Sequence, residues 1–205
     1  MNAIRLIAVC CFGMTAVVPG YAAGRPKIEN VTPKVTLIGA PEIMATVAGM
    51  NPKRPRPPAP GENKYWLEFE VDFDSVEEFP ELTFKYGLVV SVPNRSPKLI
   101  EGEVTHVDIG RGKDRHSVMY IAPKTLNKIS EGKTLQTNNI VAYWVEIFAQ
   151  GESVGGNAKP SVEAYKQAQK NKDSLEKVSD ALLNKLQTPF APLFGDYFEG
   201  IKSSR

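Results

Sequence analysis

The sequence predicts a mainly β protein: an immunoglobulin-like antiparallel β-sandwich with a C-terminal α-helical extension. Three observations carry that expectation. Apolar and polar residues alternate at period two through the middle of the chain, as in strands with one buried face. Seven such segments fall within roughly 130 residues, divided by Pro, Gly and Asn turns rather than by alternating helices. Beyond Lys159-Pro160 the texture changes to helix formers.

From the N-terminus, Met1 to Arg5 carries one positive charge, Leu6 to Val18 is apolar, and Pro19-Gly20 breaks the run. Tyr21-Ala22-Ala23 then offers small residues for cleavage. This is the order of a secretory signal peptide over residues 1–23, so the protein is expected to be exported, to the periplasm or the outer cell surface. The apolar run falls short of the roughly 20 residues that cross a bilayer, so no transmembrane anchor is expected in the mature chain. Lipidation wants a small residue before its cysteine, whereas Val9 precedes Cys10 and Cys10 precedes Cys11. Both cysteines leave with the signal, which excludes disulfides, thiol nucleophiles and Cys-based zinc sites. A formal net charge of +2 gives no indication of a nucleic-acid partner.

Residues 24–158 are read as the sandwich. Lys27–Ile38 and Ile43–Ala48 are irregular strand candidates. The Pro-rich stretch "NPKRPRPPAPGEN" follows, an extended surface loop whose Lys53, Arg54 and Arg56 make it locally basic. In "KYWLEFEVDF", Tyr65, Leu67, Phe69, Val71 and Phe73 share the buried face. Leu82, Phe84, Tyr86, Leu88, Val90 and Val92 do so in the next strand. Lys98–Ile109 and His116–Ala122 follow, then a short helix after Pro123. In "NNIVAYWVEIFAQ", Val141, Tyr143, Val145 and Ile147 face the core, with Trp144 and Phe148 opposite.

Residues 159–205 are read as a helical and aromatic extension. Leu175, Val178, Leu182 and Leu186 form a helical stripe, and Asp173 with Glu176 resembles a capping box. The last stretch places Phe190, Leu193, Phe194, Tyr197, Phe198 and Ile201 at helix-like spacing, weakened by Pro192 and Gly195. The C-terminal helix is expected to cover Trp144.

Four patterns invite chemistry. "GESVG" around Ser153 fits G-x-S-x-G, but no helix follows directly, and both His106 and His116 precede the serine. It reads as a turn at Gln150-Gly151, an edge strand and a glycine hinge. "GRGKDRHS" lacks the spacing of a phosphate loop and reads as a charged hairpin tip. His106 and His116 would supply half a metal site if their strands paired, without a third ligand. Asp72, Asp74, Glu77, Glu78 and Glu81 lack the glycine and spacing of a calcium loop. No catalytic residue, metal or cofactor is expected.

At "KYWLEFEVDF", "LIEGEVTHVDIGRGKDRHSVMYIAPKTL" and "VEIFAQGE", the chain resembles a family of exported immunoglobulin-like β-sandwich proteins of verrucomicrobial bacteria, some linked with type IV pilus components. The resemblance implies an envelope setting and no catalytic residues. The expected function is therefore a non-catalytic binding or structural protein that contacts an envelope or pilus protein. Lys53, Arg54, Arg56, Phe190, Phe194, Tyr197 and Phe198 are its candidate contacts. The alternative is a carbohydrate-binding module that presents Trp66 or Trp144 to a glycan.

Overall fold

The computed structural model describes residues 27–41, 65–195 and 197–203. The signal segment, the Ile43–Ala48 candidate and the Pro-rich loop with Lys53, Arg54 and Arg56 lie outside the described residues.

Two sheets pack face to face. The first has the order β1 (Ile28–Gly39), β2 (Tyr65–Ser75), β5 (Gly112–Ile121), β9 (Leu182–Asn184). The second has the order β7 (Glu152–Lys159), β6 (Ile140–Ala149), β3 (Phe79–Val90), β4 (Lys98–Ile109), β8 (Glu176–Val178). All pairings are antiparallel except that of β4 with β8. β1-β2-β5 facing β7-β6-β3-β4 is the A-B-E against G-F-C-C′ arrangement of immunoglobulin-like sandwiches.

Alternation in β2 and β3 builds the core as the sequence predicts. Leu67, Phe69, Val71 and Phe73 meet Leu82, Phe84, Tyr86, Leu88 and Val90, all buried. Burying each such side chain is worth about 1.5–3 kcal/mol. Phe69 meets Tyr86 edge-to-face at 4.8 Å. Val141 departs from the expected core set and is 46% exposed. The reason is a bulge: Val89 pairs with Ala142 and Val90 with Ile140, so Val141 has no partner and is turned out.

On the outer face of the second sheet, Trp144 sits directly across from Gly87. A Cβ on Gly87 would lie 2.2 Å from the indole, so only glycine lets the ring lie flat on β3. α2 (Val162–Lys170) covers that ring with Ala164, Tyr165 and Ala168, and Trp144 is 3% exposed. Ser161 caps α2, its Oγ accepting from the Ala164 amide at 3.2 Å. α1 (Pro123–Ile129) follows Pro123 as expected and buries Leu126 and Ile129.

After Asn171 the helical reading fails. Lys172–Ser174 is a single 3₁₀ turn, and the expected Asp173–Glu176 capping box is absent. The chain extends instead, adding β8 to β4 and β9 to β5. Leu175, Val178 and Leu182 are still drawn inward, the first to the Trp144 cluster and the others to the main core, while Leu186 is 57% exposed. The open edges of β4 and β5 offer this segment backbone partners, and pairing with them outweighs its helix propensity. The C-terminal segment is thus woven into both sheets, not appended as a helical unit.

The tail beyond Thr188 forms successive turns, not a helix. It then runs along the gap between the sheets. The Glu199 amide donates to the His116 carbonyl, the Val107 amide to the Gly200 carbonyl, and the Lys202 amide to the Thr105 carbonyl. One segment is thereby laced to β5 and to β4.

Candidate functional site

The outer face of the first sheet has two halves, both set by period two. Trp66, Glu68, Glu70 and Asp72 point outward from β2. Across from them on β5, Tyr120 pairs with Glu68, Val118 with Glu70 and His116 with Asp72. Trp66, Tyr120 and Val118 make an apolar half, and Glu70, Asp72 and His116 a charged half.

The tail roofs both. Phe190 is fully buried, stacked on Tyr120 at 4.6 Å and edge-on to Trp66 at 5.5 Å. Leu193 joins it, and Phe198 packs half-buried at the margin. Over the charged half, Tyr197 stacks on His116 at 3.9 Å and 16°, and its hydroxyl donates to Glu70 Oε1 at 2.8 Å. His116 Nδ1 lies 3.0 Å from Asp72 Oδ1 and 3.4 Å from Glu70 Oε1, and the Lys34 ammonium binds Asp72 Oδ2. Lys185 Nζ stands 5.4 Å over the Phe198 ring, and burial lowers its pKa.

Of the expected contact residues, Phe190 is corrected: it is a core residue of the tail's own packing, out of reach of a partner. Phe194 and Tyr197 are 36% and 47% exposed, and Leu186 is exposed on the same C-terminal segment. Neither tryptophan is an open platform, since Tyr165 covers Trp144 and Phe190 packs against Trp66.

The histidine strands do not pair, because β4 and β5 belong to different sheets. For the same reason "GRGKDRHS" is no hairpin tip but the crossing from one sheet to the other. Its Arg115 is tied to the tail by Glu199 Oε1 at 2.8 Å. His106 faces the core within a closed hydrogen-bond chain. The Tyr86 hydroxyl donates to Ser117 Oγ at 2.6 Å, and Ser117 Oγ lies 2.6 Å from His106 Nε2. His106 Nδ1 faces the Glu199 carbonyl at 3.1 Å and the Gly200 carbonyl at 3.3 Å. Nδ1 meets only acceptors, so it carries the proton, and Nε2 accepts from Ser117. Burial lowers the His106 pKa and favours this neutral form, while the two carbonyls oppose the shift. Ser117 and His106 are 0% and 1% exposed, which seals the pair from solvent.

Ser153 lies exposed on β7, three strand positions from His106 and so about 14 Å away across the sheet. The turn at Gln150-Gly151 is as expected, both residues at positive φ, 50° and 84°. The glycine hinge is not. Gly155 and Gly156 lie inside β7, and a Cβ on Gly155 would stand 2.9 Å from that of Ile28, so its bareness lets β1 close against β7. The acidic residues also part ways: Asp74 bonds Asn30, Glu77 pairs with Lys27 and Glu81 with Lys202. Asp72 alone turns to His116. Sequence reasoning missed the Glu70–Asp72–His116 group because it depends on β2 and β5 pairing in this register.

Among the described residues, no helix is long and apolar enough to cross a membrane. No curated protein matches the chain. A crystal structure of a protein from Akkermansia muciniphila is similar in fold, with 22% identity and a TM-score of 0.66, covering 86% of this chain and 96% of that one. The family whose model matches bears the name of that protein as its likeness. The match runs over residues 23–205, taking in sandwich, edge strands and tail alike, and the chain belongs to that family.

Proposed function

We propose that this is a non-catalytic binding or structural protein of the cell envelope, exported to the periplasm or outer surface, which contacts a protein of the type IV pilus machinery. The observation that carries the reading is the exposure of three large side chains on the C-terminal segment, Leu186, Phe194 and Tyr197. These side chains keep much of their surface exposed, yet the buried Phe190 and Leu193 hold the segment that bears them. Anchors ordered in advance lose little entropy when a partner docks. Phe194 also sits at φ 55°, a conformation that costs a side-chain-bearing residue about 1–2 kcal/mol. The separation of Ser153 from His106 and the burial of that imidazole support the non-catalytic half of the reading.

The test is co-purification from envelope fractions with immobilised mature protein, probed for pilus subunits. Wild type should retain them, and the double change Leu186→Ser with Phe194→Ala should weaken retention about tenfold or more without unfolding the protein. Equal retention by the variant would sink these side chains as the contact. Turnover in a broad esterase screen that disappears in Ser153→Ala would sink the non-catalytic assignment.

A further inference from the structure

We infer that Glu70, Asp72 and His116 form a binding site for one divalent transition-metal ion of the zinc class, roofed by Tyr197. The site follows from the sheet. Period two brings Glu70 and Asp72 to the same side of β2, and antiparallel register puts His116 directly across from Asp72. Three donors are thus delivered by two hydrogen-bonded strands, a rigid platform whose geometry does not depend on a loop.

The spacing fits. A tetrahedral ion with bonds of about 2.1 Å holds its ligand atoms about 3.4 Å apart. His116 Nδ1 lies 3.0 Å from Asp72 Oδ1 and 3.4 Å from Glu70 Oε1, and all three donor atoms fall within 4.8 Å of one another. Two carboxylates and one imidazole select zinc-like ions, since the nitrogen ligand disfavours calcium and magnesium. Lys34 on Asp72 Oδ2 fixes that carboxylate so that Oδ1 faces the imidazole, the orienting role that outer partners play at metal sites.

Charge points the same way. The half-buried carboxylates Glu70 and Asp72 share this site with the ammonium of Lys34, which pairs with Asp72. A doubly charged cation offsets the remaining negative charge. Without metal, one imidazole nitrogen serves two carboxylates, and a single Nδ1 proton cannot bond fully to both. On binding, the ion takes that proton's place at Nδ1, and the neutral imidazole carries its one proton on Nε2 instead. Tyr197 stands over the donors, so the metal lies beneath the tail and steadies the segment that carries Phe194 and Tyr197.

The test uses the full mature chain with any polyhistidine tag removed, freed of metal by chelation and titrated with Co²⁺, then with Zn²⁺ in competition. The chain has two histidines, and the other is sealed in the core. One equivalent of Co²⁺ should bind in the micromolar range with visible d–d absorption, and Zn²⁺ should displace it and raise the melting temperature. His116→Ala and the isosteric Asp72→Asn should each weaken binding about tenfold or more. Tyr197→Phe should keep it. Absence of saturable binding in wild type overturns the site, as does undiminished binding in the variants. If His116→Ala does not fold, Asp72→Asn decides.

Discussion

The two outer faces of the sandwich are covered in different ways. Over the second sheet, α2 lays small residues and one tyrosine on Trp144, and the cluster around that ring is apolar. Over the first sheet, an aperiodic tail buries Phe190 and Leu193 at one end and meets carboxylates and an imidazole at the other. A helix satisfies its own backbone, so it can cover a face with side chains alone. The tail cannot, and it borrows partners from His116, Val107 and Thr105. The helix is therefore a lid resting on one sheet, whereas the tail fastens both sheets together.

The sharpest way to break that contrast is Phe190→Ala. Phe190 is 0% exposed and stacks on Tyr120, so the change should cost about 3–5 kcal/mol, read as a fall in denaturation midpoint. A loss below about 1 kcal/mol would mean that the tail is merely draped on the sheet. Next comes His106→Phe, which strands the Ser117 hydroxyl and the tail carbonyls at a cost of about 1–3 kcal/mol. This residue also sets a pH dependence. Its folded pKa is depressed, so its contribution is complete above the unfolded value near 6.5 and is lost as pH falls from there toward the folded value. Melting temperatures measured between pH 7 and 5 should fall more steeply for wild type than for His106→Phe, and parallel curves would remove the histidine from the account. Smallest is Ser161→Ala, which removes the cap of α2 for about 1 kcal/mol. Trp144 fluorescence should then report a loosened cover while the tail stays in place.

Much of the sandwich was legible because its strands alternate so regularly. Every inward residue called for in β2 and β3 is buried, and even the Gln150-Gly151 turn followed from local chemistry. Legibility stopped where a segment's fate depends on a partner far away in sequence. Leu175, Val178 and Leu182 have helical spacing, but three residues of β8 and three of β9 answer to the open edges of β4 and β5. The aromatics of the tail, grouped together by their spacing, have different fates: Phe190 is core, while Phe194 and Tyr197 are 36% and 47% exposed. Their spacing carries no sign of which rings meet Trp66 and Tyr120. The Glu70–Asp72–His116 group was out of reach for the same reason, since only Asp72 had drawn notice and its partner comes from a strand 44 residues on.

The lacing of β4 and β5 by the chain's last segments also bears on how the protein is made. Both strands are synthesised well before residues 176–184 and 199–202, which shield their edges. A nascent chain therefore carries two bare strand edges until those residues are made, a state prone to pairing with other chains. Premature truncation would do more than remove a contact surface. A product cut before residue 176 would keep both edges open as templates for self-association.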